Sequence, residues 1–284
     1  MYRAATLSWR GKGAVTIDRT ARITFDRVAE LYDEVRPGYP EELVEDVLAL
    51  SGIPPDGRIL EVGCGPGTAT VAFARRGYHM DCVELGPRLA ALAFENCRAY
   101  PKVRVHNSSF EEWPLEAGAY DLVISAEAFH WIPPEVAYPR AARALNEAGS
   151  LALFWILYQD PDTEIFRAID QVYHQQAPQI GNPNKTITPE WLMEQIVGNY
   201  RSSGCFGPVT VRQYRWSRTY SGEQYAKLVR TFSSHRSLDE GTWRRLLAGI
   251  GDVIEQHGGR LVRPFLAVLF HARVLKIEDT DVAR

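Results

Sequence analysis

Three glycines at alternate positions, Gly63, Gly65 and Gly67, follow the apolar run Arg58-Ile59-Leu60-Glu61-Val62 and precede a helix-like stretch from Thr68 to Arg76. A strand, a glycine turn and a helix in that order let backbone N–H groups come close to a ligand, because glycine has no Cβ to hold the ligand away. Seventeen residues beyond Gly67, at the end of a second apolar run from His79 to Val83, stands Glu84. A carboxylate in that place can accept hydrogen bonds from both hydroxyls of a ribose. The chemistry legible here is the binding of a ligand that carries a nucleoside. In the dinucleotide fingerprint the third glycine lies one residue further on, so a pyrophosphate, and with it a nicotinamide oxidoreductase, is disfavoured.

Glu61-Val62-Gly63-Cys64-Gly65-Pro66-Gly67 resembles the first motif of class I S-adenosylmethionine (SAM)-dependent methyltransferases, and Glu84-Leu85-Gly86-Pro87 resembles their acidic loop after the second strand. Ala119 to Ser125 matches the family's fourth strand and Gly149 to Leu153 its glycine-led fifth. The ordered motifs cover roughly residues 24 to 156, with a weaker echo from 209 to 274. The resemblance implies an α/β, Rossmann-like class I methyltransferase fold. Its seven-stranded, mostly parallel sheet would have an antiparallel last strand between the fifth and sixth, and a helical cap insertion. It implies SAM as cofactor, held by Glu61, Gly63, Cys64, Gly65, Gly67, Glu84 and Leu85. Ser109 and Phe110 would lie at the adenine edge, and Ser125 and Ala126 beside the sulfonium. Many relatives carry an aspartate where this chain has Ser109, which leaves the backbone N–H of Phe110 as the alternative donor.

The stretch from Phe25 to Pro40 is similar to the N-terminal lid of small-molecule methyltransferases, including those related to trans-aconitate methyltransferases. In such lids a tyrosine and an arginine face the cofactor, which makes Tyr32 and Arg36 the candidates, with Arg36 placed to pair with the methionine carboxylate of SAM. Methyl transfer from a sulfonium is an in-line displacement on an already activated carbon. The protein's part is therefore mainly to position the reactants and exclude water. A carboxylate acceptor needs no base; a hydroxyl or ammonium needs one within hydrogen-bond reach. His130, Glu127 and Tyr32 are the candidate catalytic groups, with His235 a fourth candidate base. His130, between Phe129 and Trp131, also reads as a packed imidazole.

The elements that must position these residues are coarsely readable. Phe25, Val28, Ala29 and Tyr32 recur at helical spacing until Pro37-Gly38-Tyr39-Pro40 ends the run, and a second helix is expected from Glu41 to Leu50. Pro87 to Tyr100 reads as a helix and Val103 to Asn107 as a strand. Two helix-like runs, Thr163 to Gln176 and Thr188 to Tyr200, lie on either side of Pro178, Gly181, Pro183 and Asn184. Val209 to Trp216 and Phe265 to Val274 read as the last strands, with Pro264 expected at a strand start or bulge. Helical patterns fill Ser221 to Phe232 and Asp239 to His257. The expected organisation is an N-terminal arm and lid over 1–40, a SAM-binding core over 41–156, a cap over 157–208 and completion of the core over 209–284.

Composition sets the outer bounds. The 284 residues suffice for one α/β domain with an insertion, and 45% apolar with 24% charged residues is ordinary for a globular chain. A net charge of −3 gives no general attraction to nucleic acid or anionic lipid, so the expected partner is a small-molecule methyl acceptor, with neither nucleic acid nor membrane. Cys64, Cys82, Cys97 and Cys205 lack metal-finger spacing, so no metal is expected. Without a signal-like or membrane-spanning run the protein is expected in the cytoplasm, as a monomer or homodimer. The alternatives are a non-catalytic SAM-binding module and a methyltransferase acting on a macromolecule.

Overall fold

The computed structural model describes residue 26 and residues 34–182, 187–232, 235 and 238–275. The arm over 1–22 and most of the 24–40 lid, Tyr32 included, lie outside the described residues, as do Pro183 and Asn184. The elements run α1 (Glu41–Ser51), β1 (Arg58–Val62), α2 (Thr68–Ala74), β2 (His79–Glu84), α3 (Pro87–Asn96), β3 (Val103–Asn107) and β4 (Tyr120–Ala126). After a 3-10 turn over Phe129–Trp131 come α4 (Pro134–Ala144), β5 (Leu145–Tyr158), α5 (Glu164–Gln176), α6 (Pro189–Ser203), β6 (Thr210–Ser221), α7 (Gly222–Arg230), α8 (Glu240–Gln256) and β7 (Arg260–Arg273).

The strands form one seven-stranded sheet in the order β3-β2-β1-β4-β5-β7-β6. β1 to β5 pair in parallel and the last strand is antiparallel, the arrangement expected for the Rossmann-like methyltransferase fold. Helical crossovers cover both faces of a parallel sheet, so its central strands are apolar almost throughout. Ile59, Leu60 and Val62 of β1 and Leu122, Val123 and Ile124 of β4 are accordingly buried.

The chain divides into two compact units. The sheet unit comprises Tyr39–Trp155, Glu190–Tyr214 and the chain from Ala267. In it Tyr200 of α6 donates from its hydroxyl to the carbonyls of Leu151 (3.1 Å) and Phe270 (3.3 Å), tying β5 to β7. The helical unit comprises Ile156–Pro189, Arg215–Leu266 and the chain up to Gly38. There α8 packs so closely on α5 that a Cβ at Gly249 would meet Val172 at 2.8 Å. Ser221 and Gln224 close a capping box on α7, and Asp239 caps α8 by accepting from the Thr242 N–H. The two helices expected to form one cap over 157–208 fall in different units, α5 in the helical unit and α6 in the sheet unit.

Two prolines stand inside regular elements. α4 lacks a sequence signal because Pro139 stands inside it, where proline removes an N–H from the helix ladder and crowds the preceding turn. Burial of Ala137, Tyr138, Ala141 and Ala142 along one face compensates. Pro264, expected at a strand start or bulge, lies within β7, and its carbonyl accepts from Gln159 N–H at 3.1 Å.

Candidate functional site

At the carboxyl ends of β1, β2 and β4 the sheet unit builds a cradle from backbone. Gly63, Gly65 and Gly67 all have positive φ, at 71°, 56° and 91°, the region that L side chains avoid. Their environments differ. A Cβ on Gly63 would meet the Cβ of Ala128 at 2.3 Å, so this glycine lets the β1 turn sit against the loop after β4. A Cβ on Gly67 would reach Cys97 and Ala93 of α3 at 3.3 and 3.4 Å. A Cβ on Gly65 would meet nothing within 4 Å. The space in front of Gly65 is open on the protein side.

Glu84 closes the turn. Its Oε2 accepts from Gly65 N–H at 2.9 Å and its Oε1 from Gly86 N–H at 2.8 Å, and the residue is 8% exposed. The carboxylate thus fixes the glycine turn to the end of β2, and each oxygen has lone-pair capacity beyond one bond. Asn96 supports the turn from α3 through Pro66 O (3.0 Å), and Asn107 holds the carbonyls of Glu84 and Leu85. Cys64 is buried beneath.

Glu61 is fully buried in β1. Burial pushes its carboxyl up to about 7, against the Thr70 hydroxyl that donates to Oε2 at 2.6 Å and the Cys82 thiol 3.7 Å away. Its Oε1 has no hydrogen-bond partner among the described residues. A buried carboxylate oxygen left this way is costly unless a ligand or water completes it.

On the β3 side, Ser109 accepts from Glu112 N–H at 3.2 Å and so shapes a tight turn over 110–113. Arg140 of α4 donates to the carbonyl of Phe110 (2.6 Å) and to that of Trp113, and lies 5.5 Å from the centre of the Phe110 ring. Phe110 itself is buried.

At the end of β4 the Ser125 hydroxyl donates to Val62 O at 2.6 Å, joining β4 to the last residue of β1. Ala126 follows, half-buried, and then Glu127 at φ 57°, the sole non-glycine with positive φ among the described residues. Such strain is held in place only by a well-determined surround and clusters at functional loops. Here Glu127 N–H donates to Phe154 O at 3.0 Å. His130 is half-buried, and its Nδ1 accepts from the Trp155 indole N–H at 3.2 Å. Because indole nitrogen only donates, the neutral ring carries its proton on Nε2. Burial pushes the imidazole down to about 4.

In the helical unit Arg36 donates from Nε to the Thr231 hydroxyl (2.9 Å) and from Nη2 to its carbonyl (3.1 Å), over the rings of Tyr158 and Phe232. His235 is buried, bonded to the Tyr173 hydroxyl at 2.9 Å and stacked on Trp243. Burial lowers it to about 3.

These two histidines set a pH dependence. Below the unfolded value of about 6.5 the unfolded chain takes up protons that the folded rings refuse, so the two rings together make stability fall with pH from about 6.5 toward 4, against the smaller opposite contribution of Glu61, whose raised carboxyl binds a proton more readily in the folded chain below about 7. Thermal melts should show that decline. Proton NMR should show neither imidazole titrating between pH 5.5 and 8, and a midpoint near 6.5 for either would contradict these environments.

Residues 59–149 match the family model described as a methyltransferase domain. The matched segment runs from β1 into β5 and contains the cradle. An uncharacterized methyltransferase of Mycobacterium tuberculosis is 30% identical over 137 residues, 48% of this chain and 54% of that protein. The chain spans about half the length of the first relatives it matches. A solved structure assigned as a type II methyltransferase from Anaeromyxobacter dehalogenans matches the fold with a TM-score of 0.60 at 19% identity, covering 85% of this chain and 99% of that one. Phosphoethanolamine N-methyltransferase 2 of Haemonchus contortus, solved with S-adenosylhomocysteine, matches at 0.54 and 16% identity, covering 92% and 60%.

Within the matched segment the structure brings Glu61, the three glycines, Cys64, Glu84 and Leu85 to one turn, and Ser125 to Glu127 to the adjoining strand end. Sequence reasoning missed Asn96 and Arg140, which hold the loops of the matched segment, and Trp155, which orients His130. Asn96 stood on a predicted helix with no mark of a capping role, and Trp155 lies 25 residues from its partner. No local spacing could have joined them.

Proposed function

We propose that this protein is a SAM-dependent methyltransferase that methylates an oxygen of a small organic molecule, with a carboxylate as the acceptor. When bound, SAM supplies an activated methyl carbon. The open space before Gly65 admits a ligand against the backbone, and Glu84 at the ribose hydroxyls and Glu61 at the methionine end would hold it. Ser109 and Phe110 would border the base, with Cys64, Gly63, Gly67 and Leu85 forming the wall. Ser125, Ala126 and Glu127 would flank the methyl group.

The observation that carries the choice of acceptor is the state of the histidines. His130 has its Nδ1 lone pair engaged by Trp155, a proton on Nε2, and a pKa near 4. It can donate a hydrogen bond to an acceptor oxygen, but it is a poor base near neutrality. His235 is buried against Tyr173 and lower still. An acceptor that is already anionic needs neither as a base. The likeness of residues 25–40 to the lids of small-molecule enzymes supports a small acceptor.

Transfer of labelled methyl from SAM to a fractionated pool of organic acids tests this. The expected product is a methyl ester, which releases methanol in mild base. A base-stable labelled product would overturn the carboxylate assignment, and a chain that fails to bind SAM in calorimetry would overturn the function.

A further inference from the structure

Next to the end of β5 the helical unit buries a permanent positive charge. Arg263 of β7 has no exposed surface. Its guanidinium lies 5.6, 5.1 and 5.9 Å from the ring centres of Tyr158, Phe166 and Tyr225. Nη1 forms an ion pair with Asp160 Oδ1 that falls outside hydrogen-bond geometry, while Asp160 Oδ2 accepts from Asn182 at 2.6 Å. Nε and Nη2 have no hydrogen-bond partner among the described residues. These two donors share one edge of the guanidinium, and that edge offers a carboxylate two parallel N–H···O bonds. Leaving charged donors buried and unmet is more costly than leaving neutral ones, so an acceptor is called for.

A second observation points the same way. Arg36 brings another guanidinium to within 5.8 Å of the Tyr158 ring centre. The buried Tyr220 side chain feels the positive charges of Arg36, Arg218 and Arg263 together.

We propose that Arg263 anchors a carboxylate-binding site, its Nε and Nη2 each holding one oxygen of a small carboxylic acid whose body packs among the aromatic rings. The inference rests on the helical unit's own residues and stands apart from the proposed function. Because Arg263 is sealed from solvent, entry requires displacement of part of the wall, and slow association is expected.

The test uses the full chain, with succinate, citrate and benzoate as probes, each compared with chloride at equal ionic strength and with inorganic phosphate. At least one carboxylate is expected to raise the unfolding temperature saturably and to bind in calorimetry. In the paired variant Arg263→Met with Asp160→Asn, which avoids stranding a buried acid, affinity for that carboxylate should fall by about a hundredfold or more while SAM affinity is unchanged. If the pair does not fold, Arg263→Lys takes its place, since an ammonium keeps the charge but cannot form the two parallel bonds, and the same loss is expected. Absence of carboxylate binding, stronger binding of phosphate, or undiminished affinity in the variant each overturns the site. Arg263-dependent carboxylate binding in a chain that does not bind SAM leaves this site standing and removes the methyltransferase reading.

Discussion

Gly65→Ala is expected to weaken SAM binding by about ten- to a hundredfold, the effect of forcing one extra methyl into a close contact, while the fold survives. The argument is the contrast among the three glycines. A Cβ on Gly65 meets no protein atom within 4 Å, so the protein itself leaves room for it. The cost to the fold is the positive φ of 56°, about 1–2 kcal/mol for an L-residue. A ligand lying against the turn would meet the methyl directly. Gly63→Ala should behave in the opposite order, because its Cβ would sit 2.3 Å from that of Ala128 and the two loops must separate to admit it. Chemical denaturation with SAM calorimetry separates the cases. A folded Gly65→Ala protein that binds SAM like wild type would mean that no ligand lies against this turn.

Glu84→Ala is expected to lower both stability and SAM affinity. In the folded protein the carboxylate accepts from the N–H groups of Gly65 and Gly86 at 2.9 and 2.8 Å in a nearly buried place. Truncation strands two backbone donors at about 1–3 kcal/mol each, less whatever an entering water recovers. Loss of the ribose acceptor removes a further ~1–3 kcal/mol of binding. Glu84→Gln should fall between, since its amide oxygen can accept one of the two N–H groups while its NH2 faces the other. The order wild type, Gln, Ala is therefore expected in denaturation midpoints and in affinity alike. A stability loss with unchanged SAM affinity would reduce Glu84 to a clamp for the loop, and no change in either would remove it from the site.

The sequence by itself determined the features whose causes are local. The glycine turn is legible because positive φ and close approach need glycine at those very positions. β1, β2 and β4 are legible because an apolar run between turn residues has few other uses, and β3 is legible from its alternation. The acid after β2 follows from spacing alone. The tertiary structure decided what each side chain does there. The Ser125 hydroxyl is spent on Val62 O, Glu84 holds two backbone N–H groups, and Trp155 sets the tautomer of His130. The division of the two expected cap helices between separate units was likewise invisible, since a helix's periodicity shows that it has an apolar face but not what that face packs against. Arg263 stood just outside the final strand expected from Phe265, and Asp160 in the stretch before the first helix-like run of the expected cap. Their pairing, and the two donors left facing no acceptor, arise only when β7 returns beside β5, because a polar partner distant in sequence leaves no trace in the periodicity around either residue.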